Sequence, residues 1–428
     1  MTTTLRRGVR GPARRRVVIT GMGAVTPLGH TMAATWQGVL EGRRVAGAVK
    51  RFDASGFPTT FAYEVGSDFA LDAAVQERAC GDAELVLDPW RYGIAASAEA
   101  LAAAGLPAAN VDASRFALSI GVGMLSPDLA WYDRVFLDGN WQDPSMRVHG
   151  RFFPDTLTAM LARLAGARGE SSTVHTACAS SGQALADAFE MIAYGDADVV
   201  LTGGVDSMVS PFYLAGFSLL GALSKRNDDP LTASRPFDKD RDGFVLGEGA
   251  AMLVFEEESH ARARGARILC EIAGAGVTES AYRITDLHPE GVGPIEAMQE
   301  ALDTAGIAPE SVGYVNAHGT GTALNDRIEA LAVSRVFPAD RCNVVVGSTK
   351  SMTGHMISAA GAVELAFCAQ ALVTQTIPPN ANVFTPDPEC QVTLAGSKPE
   401  SRDLECALSN SVGFGGSNTA LLVRRIAP

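Results

Sequence analysis

One cysteine of this sequence stands where a nucleophile would be placed. Cys178 lies in the run His175-Thr-Ala-Cys-Ala-Ser-Ser-Gly182, among small residues and directly before an alanine-rich segment of helical length. Unpaired N–H groups and the positive end of the helix dipole favour an anion at a helix N-terminus. A thiol there can have its pKa lowered below the free value of about 8.5, which supplies thiolate near neutral pH. A buried structural cysteine is the competing interpretation, and this octapeptide favours neither.

A histidine follows on a turn rich in glycine and threonine. His318 comes after the apolar run Tyr314-Val-Asn-Ala317, and Thr320 and Thr322 place hydroxyl groups beside it. A short apolar run of this kind indicates a strand that presents the histidine at its end. A histidine hydrogen-bonded within an ordinary turn would give the same pattern.

A second histidine and a lysine share the next loop. Lys350 and His355 lie in Gly347-Ser-Thr-Lys-Ser-Met-Thr-Gly-His355, ahead of a helix from Ser358 that contains Glu364. A phosphate-binding loop is a weak alternative here, because the order GxxxxGK[ST] is absent.

The last stretch of interest is the turn Asn410-Ser-Val-Gly-Phe-Gly-Gly-Ser-Asn418. Glycines let backbone amides face a ligand, as an oxyanion site requires, and they flank Phe414 so that its ring could swing. A plain hairpin loop is the alternative. One cysteine, two histidines and an amide-rich turn together form the set of groups that thioester chemistry needs.

Composition limits the class of protein. The chain has 428 residues, 47% of them hydrophobic, and a net charge of −13, which argues against binding to nucleic acid or to an anionic membrane. Its seven cysteines form no CxxC pair, as expected of a reduced, cytoplasmic protein without a disulfide framework. No run approaches the roughly 20 apolar residues of a membrane span, and the arginine-rich N-terminus lacks the apolar run of a signal peptide.

Short β-branched runs alternate with segments of helical length, which predicts a layered α/β fold. The predicted strands are Arg16–Thr20, Ala117–Gly121, Asp198–Thr202 and Ala251–Phe255, and the predicted helices are Trp90–Ala104, Gly182–Tyr194 and Val292–Thr304. The sequence from Arg16 echoes the one from Arg267, and the helix entry at Ala177–Ala184 echoes Ser351–Val363. We therefore predict two similar halves, 16–262 with the cysteine and 263–428 with the two histidines, after a basic tail at 1–15.

At this point the sequence strongly resembles the elongating β-ketoacyl-acyl-carrier-protein synthases of bacterial type II fatty-acid and polyketide systems, which belong to the thiolase-like superfamily. The likeness runs from about Val17 to Val423. It rests on several motifs in the family's order: Thr20-Gly-Met-Gly-Ala-Val-Thr-Pro-Leu-Gly29, Thr176-Ala-Cys-Ala-Ser-Ser181, Ser234-Arg-Pro-Phe-Asp238, Arg241–Gly249, Asn316–Thr322, Lys350–His355 and Gly413–Asn418.

The resemblance implies a five-layered α-β-α-β-α fold of two duplicated halves and decarboxylative condensation of an acyl-Cys178 intermediate with malonyl-carrier protein. His318 and His355 would stabilise the enolate, and the backbone N–H groups of Cys178 and Phe414 would form the oxyanion hole. Lys350, paired with Glu364, would tune the histidines. The phosphopantetheine arm arrives on the carrier protein, so no metal or further cofactor is expected. The implied gate, arm-binding and acyl-pocket residues are Phe414, Thr320, Thr322, Met124, Phe153, Phe217 and Asn418.

Single residues distinguish this chain from related classes of protein in the same superfamily. Thiolases carry a second catalytic cysteine where this chain has Gly413-Phe-Gly415, and chain-length factors lack the nucleophile that is present here as Cys178. Departures at Glu279–Arg283 and at Leu125-Ser126 after Met124 suggest a specialised acyl substrate, and favour polyketide synthesis over housekeeping fatty-acid elongation. Val412 replaces a phenylalanine common in the family beside the gate, a change expected to alter the motion of the gate.

The expected partners are an acyl carrier protein and either a second copy or a chain-length-factor-like subunit. The segment Leu71–Arg91, where related enzymes have a basic docking helix, holds Arg78 and Arg91 against five acids, and a common entrance arginine is replaced by Gly221. Steering of an acidic carrier should therefore be weaker or come from elsewhere, although Lys225 and Arg226 lie close by.

Two other functions deserve comparison. A non-condensing subunit that only binds acyl carriers would not need the cysteine with two histidines. A nucleotide-binding oxidoreductase is suggested only by Gly21-Met-Gly23, which lacks the third glycine and the acidic residue of the dinucleotide fingerprint.

Overall fold

The structure is a computed structural model that describes residues 14–81, 86–107, 111–124, 133–140, 142, 153–283 and 285–426. The strands are β1 Val17–Val25, β2 Gly47–Ala48, β3 Phe61–Ala62, β4 Phe116–Val122, β5 Ser171–Val174, β6 Val199–Ser207, β7 Glu248–Glu257, β8 Cys270–Glu279, β9 Val312–Asn316, β10 Val345–Gly347, β11 Thr376–Ile377, β12 Glu400–Ser401, β13 Cys406–Val412 and β14 Ser417–Arg424. The α-helices are α1 Met32–Leu40, α2 Ala73–Ala79, α3 Asp88–Ala104, α4 Asp155–Ala165, α5 Ser180–Ala193, α6 Pro211–Leu219, α7 Glu258–Ala263, α8 Val292–Ala305, α9 Ala323–Val336, α10 Lys350–Thr353 and α11 Ala360–Thr374.

The main sheet consists of two halves with the same topology. Its ten strands run in the order β10-β9-β13-β14-β8-β1-β7-β6-β4-β5. In the first half β1 and β6 pair antiparallel with β7, and β4 pairs parallel with β6 and β5. In the second half β8 and β13 pair antiparallel with β14, and β9 pairs parallel with β13 and β10. The duplication read from the sequence is therefore present in the strand order itself.

Helices fill the space between and outside the two half-sheets. β1 and β8 pair over only three residue pairs, from Val17↔Ile272 to Ile19↔Cys270. α5 and α11 pack against each other and against strands of both halves, while α3 covers β1 and β7 and α8 covers β8 and β14 on the outside. This is the predicted five-layered α-β-α-β-α arrangement.

The glycines of the first strand serve helix packing. A Cβ on Gly21 would lie 2.2 Å from the carbonyl oxygen of Ala100 in α3. In the second half, a Cβ on Gly274 would lie 2.2 Å from the carbonyl oxygen of Ala301 in α8. The same close approach occurs in both halves, so Gly21-Met-Gly23 is accounted for by strand–helix packing and not by a nucleotide.

The predicted elements are confirmed with small shifts at their ends. Each predicted strand lies within or overlaps β1, β4, β6 or β7, and the predicted helices correspond to α3, α5 and α8. Residues 1–13 of the predicted tail lie outside the described residues. Arg14 and Arg15, which belong to the predicted tail, contact the body of the protein instead. Arg15 forms an ion pair with Asp198 at 2.7 Å, and Arg14 donates to the carbonyl of Thr304.

α11 and the turn before it form one long apolar helix. The 18-residue stretch Ile357–Thr374 is apolar enough to cross a membrane by length and composition, which the sequence analysis did not anticipate, but 83% of it is buried inside the protein. Its side chains pack in the central layer, as expected of a core helix surrounded by protein.

Candidate active site

The cysteine sits in a tight turn that opens the central helix α5. Ala177–Ala179 form one turn of 3-10 helix, and Ala177 has a positive φ of 48°. The Oγ of Ser180 donates to the carbonyl of Ala177 at 2.6 Å and accepts from the N–H of Thr176 at 2.9 Å. These bonds hold the turn that brings the Cys178 side chain to the helix start, where it is buried.

Both predicted histidines lie beside that sulfur. The Nε2 of His355 is 3.1 Å from the Sγ of Cys178. The rings of His318 and His355 meet edge to face, with centroids 5.2 Å apart. Phe244 packs against the other side of His355 at 5.2 Å, a contact that the sequence analysis missed. The structure thus joins residues from both halves that are 177 positions apart in the chain.

Glu329 holds the His318 turn and was also missed. β9 ends at Asn316, and the carboxylate of Glu329 in α9 accepts from the N–H groups of His318 at 2.7 Å and Gly319 at 2.8 Å. Glu329 is buried, and burial raises the pKa of its carboxyl group. Its position eleven residues after the histidine, on a helix of ordinary composition, carries no signal that sequence reasoning could use.

Lys350 and Glu364 form the predicted pair, and the structure shows that both side chains are buried. The Nζ of Lys350 donates to Glu364 and to the carbonyl of His318 at 2.6 Å, and it lies 3.4 Å from the Nδ1 of His318. Burial raises the pKa of Glu364 to about 7, and Lys350 acts against that shift. The Nζ of Lys350 can only donate a hydrogen bond, so the His318 Nδ1 must accept it. The ring proton of neutral His318 is then on its Nε2.

The amides expected to form the oxyanion hole converge on the sulfur. The backbone N–H groups of Phe414 and Cys178 lie near the Cys178 thiol, and each acts to lower the pKa of that thiol. Phe414 belongs to the β13–β14 turn, where Gly415 and Gly416 have φ values of 99° and 104°. A Cβ on Gly413 would lie 2.8 Å from the carbonyl of Thr176, so this end of the turn fits closely against the cysteine turn.

The protonation of the site differs from the expectation. Burial raises the pKa of Cys178 to about 12, although Lys350 and the two N–H groups act in the opposite direction. Burial and the positive charge of Lys350 hold the pKa of His318 and His355 well below the usual range. Burial therefore favours a neutral thiol beside two neutral imidazoles. It shifts the pKa of Cys178 upwards, where the sequence predicts a shift downwards, because loss of hydration outweighs Lys350 and the two N–H groups.

A cavity of about 340 Å³ leads from these groups to the surface. Cys178, His318 and His355 lie in its lining, together with Thr320, Thr322 and the half-exposed Phe414. The hydroxyl groups of Thr320 and Thr322 are 3.0 Å apart. This placement suits a long polar arm that enters past the threonines and ends at the sulfur.

Four predicted substrate residues lie elsewhere. Asn418 is buried behind the turn, and its Nδ2 donates to the carbonyl of Gly416 at 2.7 Å, so it holds the Phe414 turn and does not line the cavity. Phe217 packs on Phe244 at 5.3 Å, one ring away from His355. Met124 and Phe153 are both 53% exposed and lie outside this cavity. A role for these two in an acyl pocket stays a prediction, and Leu125 and Ser126 lie outside the described residues.

The same three side chains could be considered as a metal site. The donor atoms of Cys178, His318 and His355 lie within 4.8 Å of one another, and this is the one such group found among the residues that the structure describes. The positive charge of Lys350 next to His318 opposes a cation at this place. The arrangement is better suited to acyl transfer, which needs the sulfur free.

Comparison with known proteins agrees with this geometry. The family described as "Beta-ketoacyl synthase, N-terminal domain" matches residues 14–261, and "Beta-ketoacyl synthase, C-terminal domain" matches 269–384. The 3-oxoacyl-[acyl-carrier-protein] synthase 2 of Vibrio harveyi is 39% identical over 422 residues, which cover 97% of this chain and 100% of that protein.

Solved structures are similar as well. A type II polyketide ketosynthase solved with its acyl carrier protein and a bound hexaketide is 31% identical, with a TM-score of 0.85 over 96% of this chain and 100% of the other. The ishigamide ketosynthase/chain length factor is also 31% identical, with a TM-score of 0.86 over 97% and 100%. With its duplicated fold, its buried Cys-His-His site and these matches over nearly its whole length, the chain belongs to the β-ketoacyl synthase family of acyltransferases.

Proposed function

We propose that the protein condenses an acyl group held on Cys178 with a malonyl group held on an acyl carrier protein, with loss of carbon dioxide. The observation that carries this proposal is the 3.1 Å approach of the His355 Nε2 to the Cys178 Sγ, inside a cavity that also contains His318. A nucleophile, a proton acceptor and a second imidazole are then available at one place.

In the first half-reaction the sulfur attacks the acyl thioester carbonyl. The thiol proton passes to the His355 Nε2 as the carbon–sulfur bond forms, and the departing carrier thiol takes that proton back. The oxyanion that forms in between is held by the N–H groups of Cys178 and Phe414, which lie at the sulfur. Each such donor typically lowers the barrier by about 3 kcal/mol.

In the second half-reaction malonyl-carrier protein occupies the cavity. The bond between its carboxylate and methylene carbons breaks, carbon dioxide leaves, and the electron pair forms an enolate. The enolate oxygen accepts hydrogen bonds from the imidazoles, and the carbon attacks the acyl-Cys178 carbonyl. The thiolate of Cys178 leaves and takes one proton from solvent, so that one proton is consumed in each cycle.

The two histidines differ in this scheme. Lys350 keeps the His318 proton on Nε2, which makes His318 a permanent donor to the enolate. The Nδ1 of His355 has no hydrogen-bond partner among the described residues. Its tautomer is therefore not fixed by a partner, and the ring can accept the thiol proton in the first half-reaction and donate in the second.

The pathway we propose is type II polyketide or specialised acyl-chain elongation. One solved relative is described as a type II polyketide ketosynthase and the other as a ketosynthase/chain length factor, whereas the Vibrio harveyi relative bears a general 3-oxoacyl synthase name. The preference for polyketide synthesis therefore depends on the altered segments near the cavity. One such segment is 279–283, where Arg283 forms an ion pair with Asp286 on the cavity wall at 3.2 Å. Housekeeping elongation is the alternative within the same chemistry.

The proposed partners are the carrier protein, whose phosphopantetheine arm is the only cofactor the scheme needs, and a second copy or a chain-length-factor-like subunit. A stable homodimer that is fully active by itself, seen by native mass spectrometry, would remove the heterodimer. We propose that the protein works in the cytoplasm, because all seven cysteines are free and buried, as expected in a reducing compartment.

The test supplies malonyl-carrier protein with a panel of acyl-carrier proteins and identifies products by mass spectrometry. A 3-oxoacyl product longer by two carbons is expected from the unmodified protein and not from Cys178→Ala. The control is Cys342→Ala, which removes another buried thiol outside the cavity lining. Unchanged product formation in Cys178→Ala would overturn the proposal.

A further inference from the structure

The tyrosine that follows β3 reaches the loop that carries Lys350 and His355. Tyr63 is fully buried in the first half of the chain, and its hydroxyl donates to the carbonyl of Ser351 at 2.8 Å. Ser351 belongs to the loop Lys350–His355 of the second half. Resting on the proposed function, we propose that Tyr63 is a positioning residue for the reaction, which holds this loop so that the His355 Nε2 stays within reach of the Cys178 sulfur.

The Ser351 carbonyl needs a donor from outside its own helix. In a continuing α-helix it would accept from the N–H of His355, four residues further on. α10 ends at Thr353, and the His355 N–H donates instead to the carbonyl of Val245 at 2.8 Å. Since a buried carbonyl without a donor is costly, the Tyr63 hydroxyl replaces the bond that the chain gives up where it leaves the helix.

The Tyr63 hydroxyl is a permanent donor. Burial raises its pKa above the usual value for tyrosine, so the group keeps its proton throughout the neutral range. The carbonyl oxygen of Ser351 can only accept. The contact therefore holds the loop equally well at every pH at which the two imidazoles and the thiol exchange protons.

The ring of Tyr63 lies against the residue that precedes His355. Gly354 has a φ of 70°, in the region that favours glycine, and a Cβ added there would lie 2.7 Å from the Tyr63 Cδ2. The ring thus packs directly on the backbone of the loop. A side chain at 354 or a smaller ring at 63 would leave this turn without a close fit.

The backbone of Tyr63 also reaches His355, through one intervening segment. The Tyr63 N–H donates to the carbonyl of Leu246 at 2.8 Å, and Tyr63 pairs with Gly247 in a parallel bridge. Leu246 pairs in the same way with His355, whose carbonyl accepts from the Gly247 N–H at 2.9 Å. The side chain and the main chain of Tyr63 therefore fix the histidine from two directions.

This link joins the two halves at the place where their reactive groups meet. Cys178 belongs to the first half and His355 to the second, and their Sγ and Nε2 are 3.1 Å apart. Ser234 of the first half donates to the carbonyl of Lys350 at 2.8 Å, so hydroxyl groups from the cysteine half hold two successive carbonyls of the loop. A displacement of about 1 Å can cost about a hundredfold in rate.

The experiment follows acylation of Cys178 by intact-protein mass spectrometry, over a range of concentrations of an acyl-carrier protein from the panel above. Tyr63→Phe keeps the ring and removes the donor to Ser351. The maximal rate of acylation should fall by about tenfold, because His355 is no longer held at the sulfur. The donor concentration that gives half of that rate should stay the same, since Tyr63 lies outside the lining of the cavity.

The matched control is Tyr92→Phe. Tyr92 is another buried tyrosine of the first half, and its hydroxyl accepts from Arg51 at 2.6 Å and donates to Glu248 at 3.3 Å, away from the Lys350–His355 loop. Loss of this hydroxyl should lower the resistance to denaturant about as much as Tyr63→Phe does. It should leave the rate of acylation unchanged.

A double-mutant cycle distinguishes positioning from general support of the fold. If Tyr63 acts through His355, adding Tyr63→Phe to His355→Ala should lower the remaining acylation rate by less than about twofold, against about tenfold in the unmodified protein. Acylation is the step to measure, because in the proposed scheme it uses His355 and not His318.

Three results would overturn the positioning proposal while the proposed function stands: an unchanged maximal rate in Tyr63→Phe, an equal loss in Tyr92→Phe, or the same tenfold loss with and without His355. If the unmodified protein is not acylated on Cys178 by any donor of the panel, the proposed function fails, and the role of Tyr63 fails with it.

Discussion

The backbone N–H of Ser358 donates to the Oδ2 of Asp206 at 2.9 Å. Ser358 is the counterpart of Cys178 in the second half of the molecule. Each follows a residue with positive φ, Ile357 at 41° and Ala177 at 48°, and each lies in a 3-10 turn that opens a central helix. The amide that could face substrate in one half is thus occupied by a carboxylate in the other, so only one of the two related turns is open for catalysis.

Asp206 also influences the working half. Its carboxyl group is buried, which raises its pKa to about 7, and its negative charge raises the pKa of the Cys178 thiol. Asp206→Asn keeps an oxygen for the Ser358 N–H and removes the charge. Above pH 7, alkylation of Cys178 by iodoacetamide should therefore become faster by on the order of threefold, or about half a pKa unit.

A second variant, Asp206→Leu, removes both the charge and the oxygen that accepts from the Ser358 N–H. It should lower condensation, because the Ser358 Oγ also donates to the carbonyl of Ala177 at 3.2 Å and links the start of α11 to the cysteine turn. Slower alkylation in Asp206→Asn would contradict this role of the charge.

The raised pKa of Cys178 predicts a particular pH dependence. With a pKa of about 12 the thiol stays protonated through neutral pH, so its alkylation rate should rise by about tenfold per pH unit between about pH 7 and 10, without a plateau. The measurement is the rate of mass increase with iodoacetamide, with Cys178→Ser to subtract the other thiols. A plateau already reached by about pH 8 would mean that the thiolate is the resting form.

Substitution of the two histidines should separate the half-reactions. His318→Ala removes only the donor to the enolate and should lower carbon dioxide release from malonyl-carrier protein by about a hundredfold or more. Acylation of Cys178 should change little. His355→Ala should lower both steps, because its Nε2 lies 3.1 Å from the sulfur. Equal loss of acylation in the two variants would show that the division of roles is wrong.

The close approach of Gly21 to α3 predicts a cost for any added side chain. In Gly21→Ala the new Cβ would lie 2.2 Å from the Ala100 carbonyl, so the helix or the strand has to move. We expect the free energy of unfolding to fall by about 2 kcal/mol, as in other overpacked cores. Denaturant titration measures this, and Gly56→Ala, whose Cβ would meet nothing within 4 Å, is the control. Equal stability of the two variants would contradict the packing argument.

Much of the site could be read from local sequence. Cys178, His318, Lys350 and His355 stand in short runs of small and turn-forming residues, and such runs reveal where a chain exposes a reactive side chain at the end of a strand or helix. The periodic apolar runs located β1, β4, β6, β7, α3, α5 and α8 for the same reason, since alternation and helical spacing are local properties.

The sequence by itself determined which groups the enzyme has and that its two halves are alike. Only the tertiary structure decided how these groups are held in place and which of them carry a proton. Glu329 and Asp206 act through buried contacts with backbone amides outside their own helix or strand. The pKa of Cys178 depends on how much water the packed halves exclude. Hydration and electrostatic fields are summed over neighbours from the whole chain, so no local pattern of residues could have predicted them.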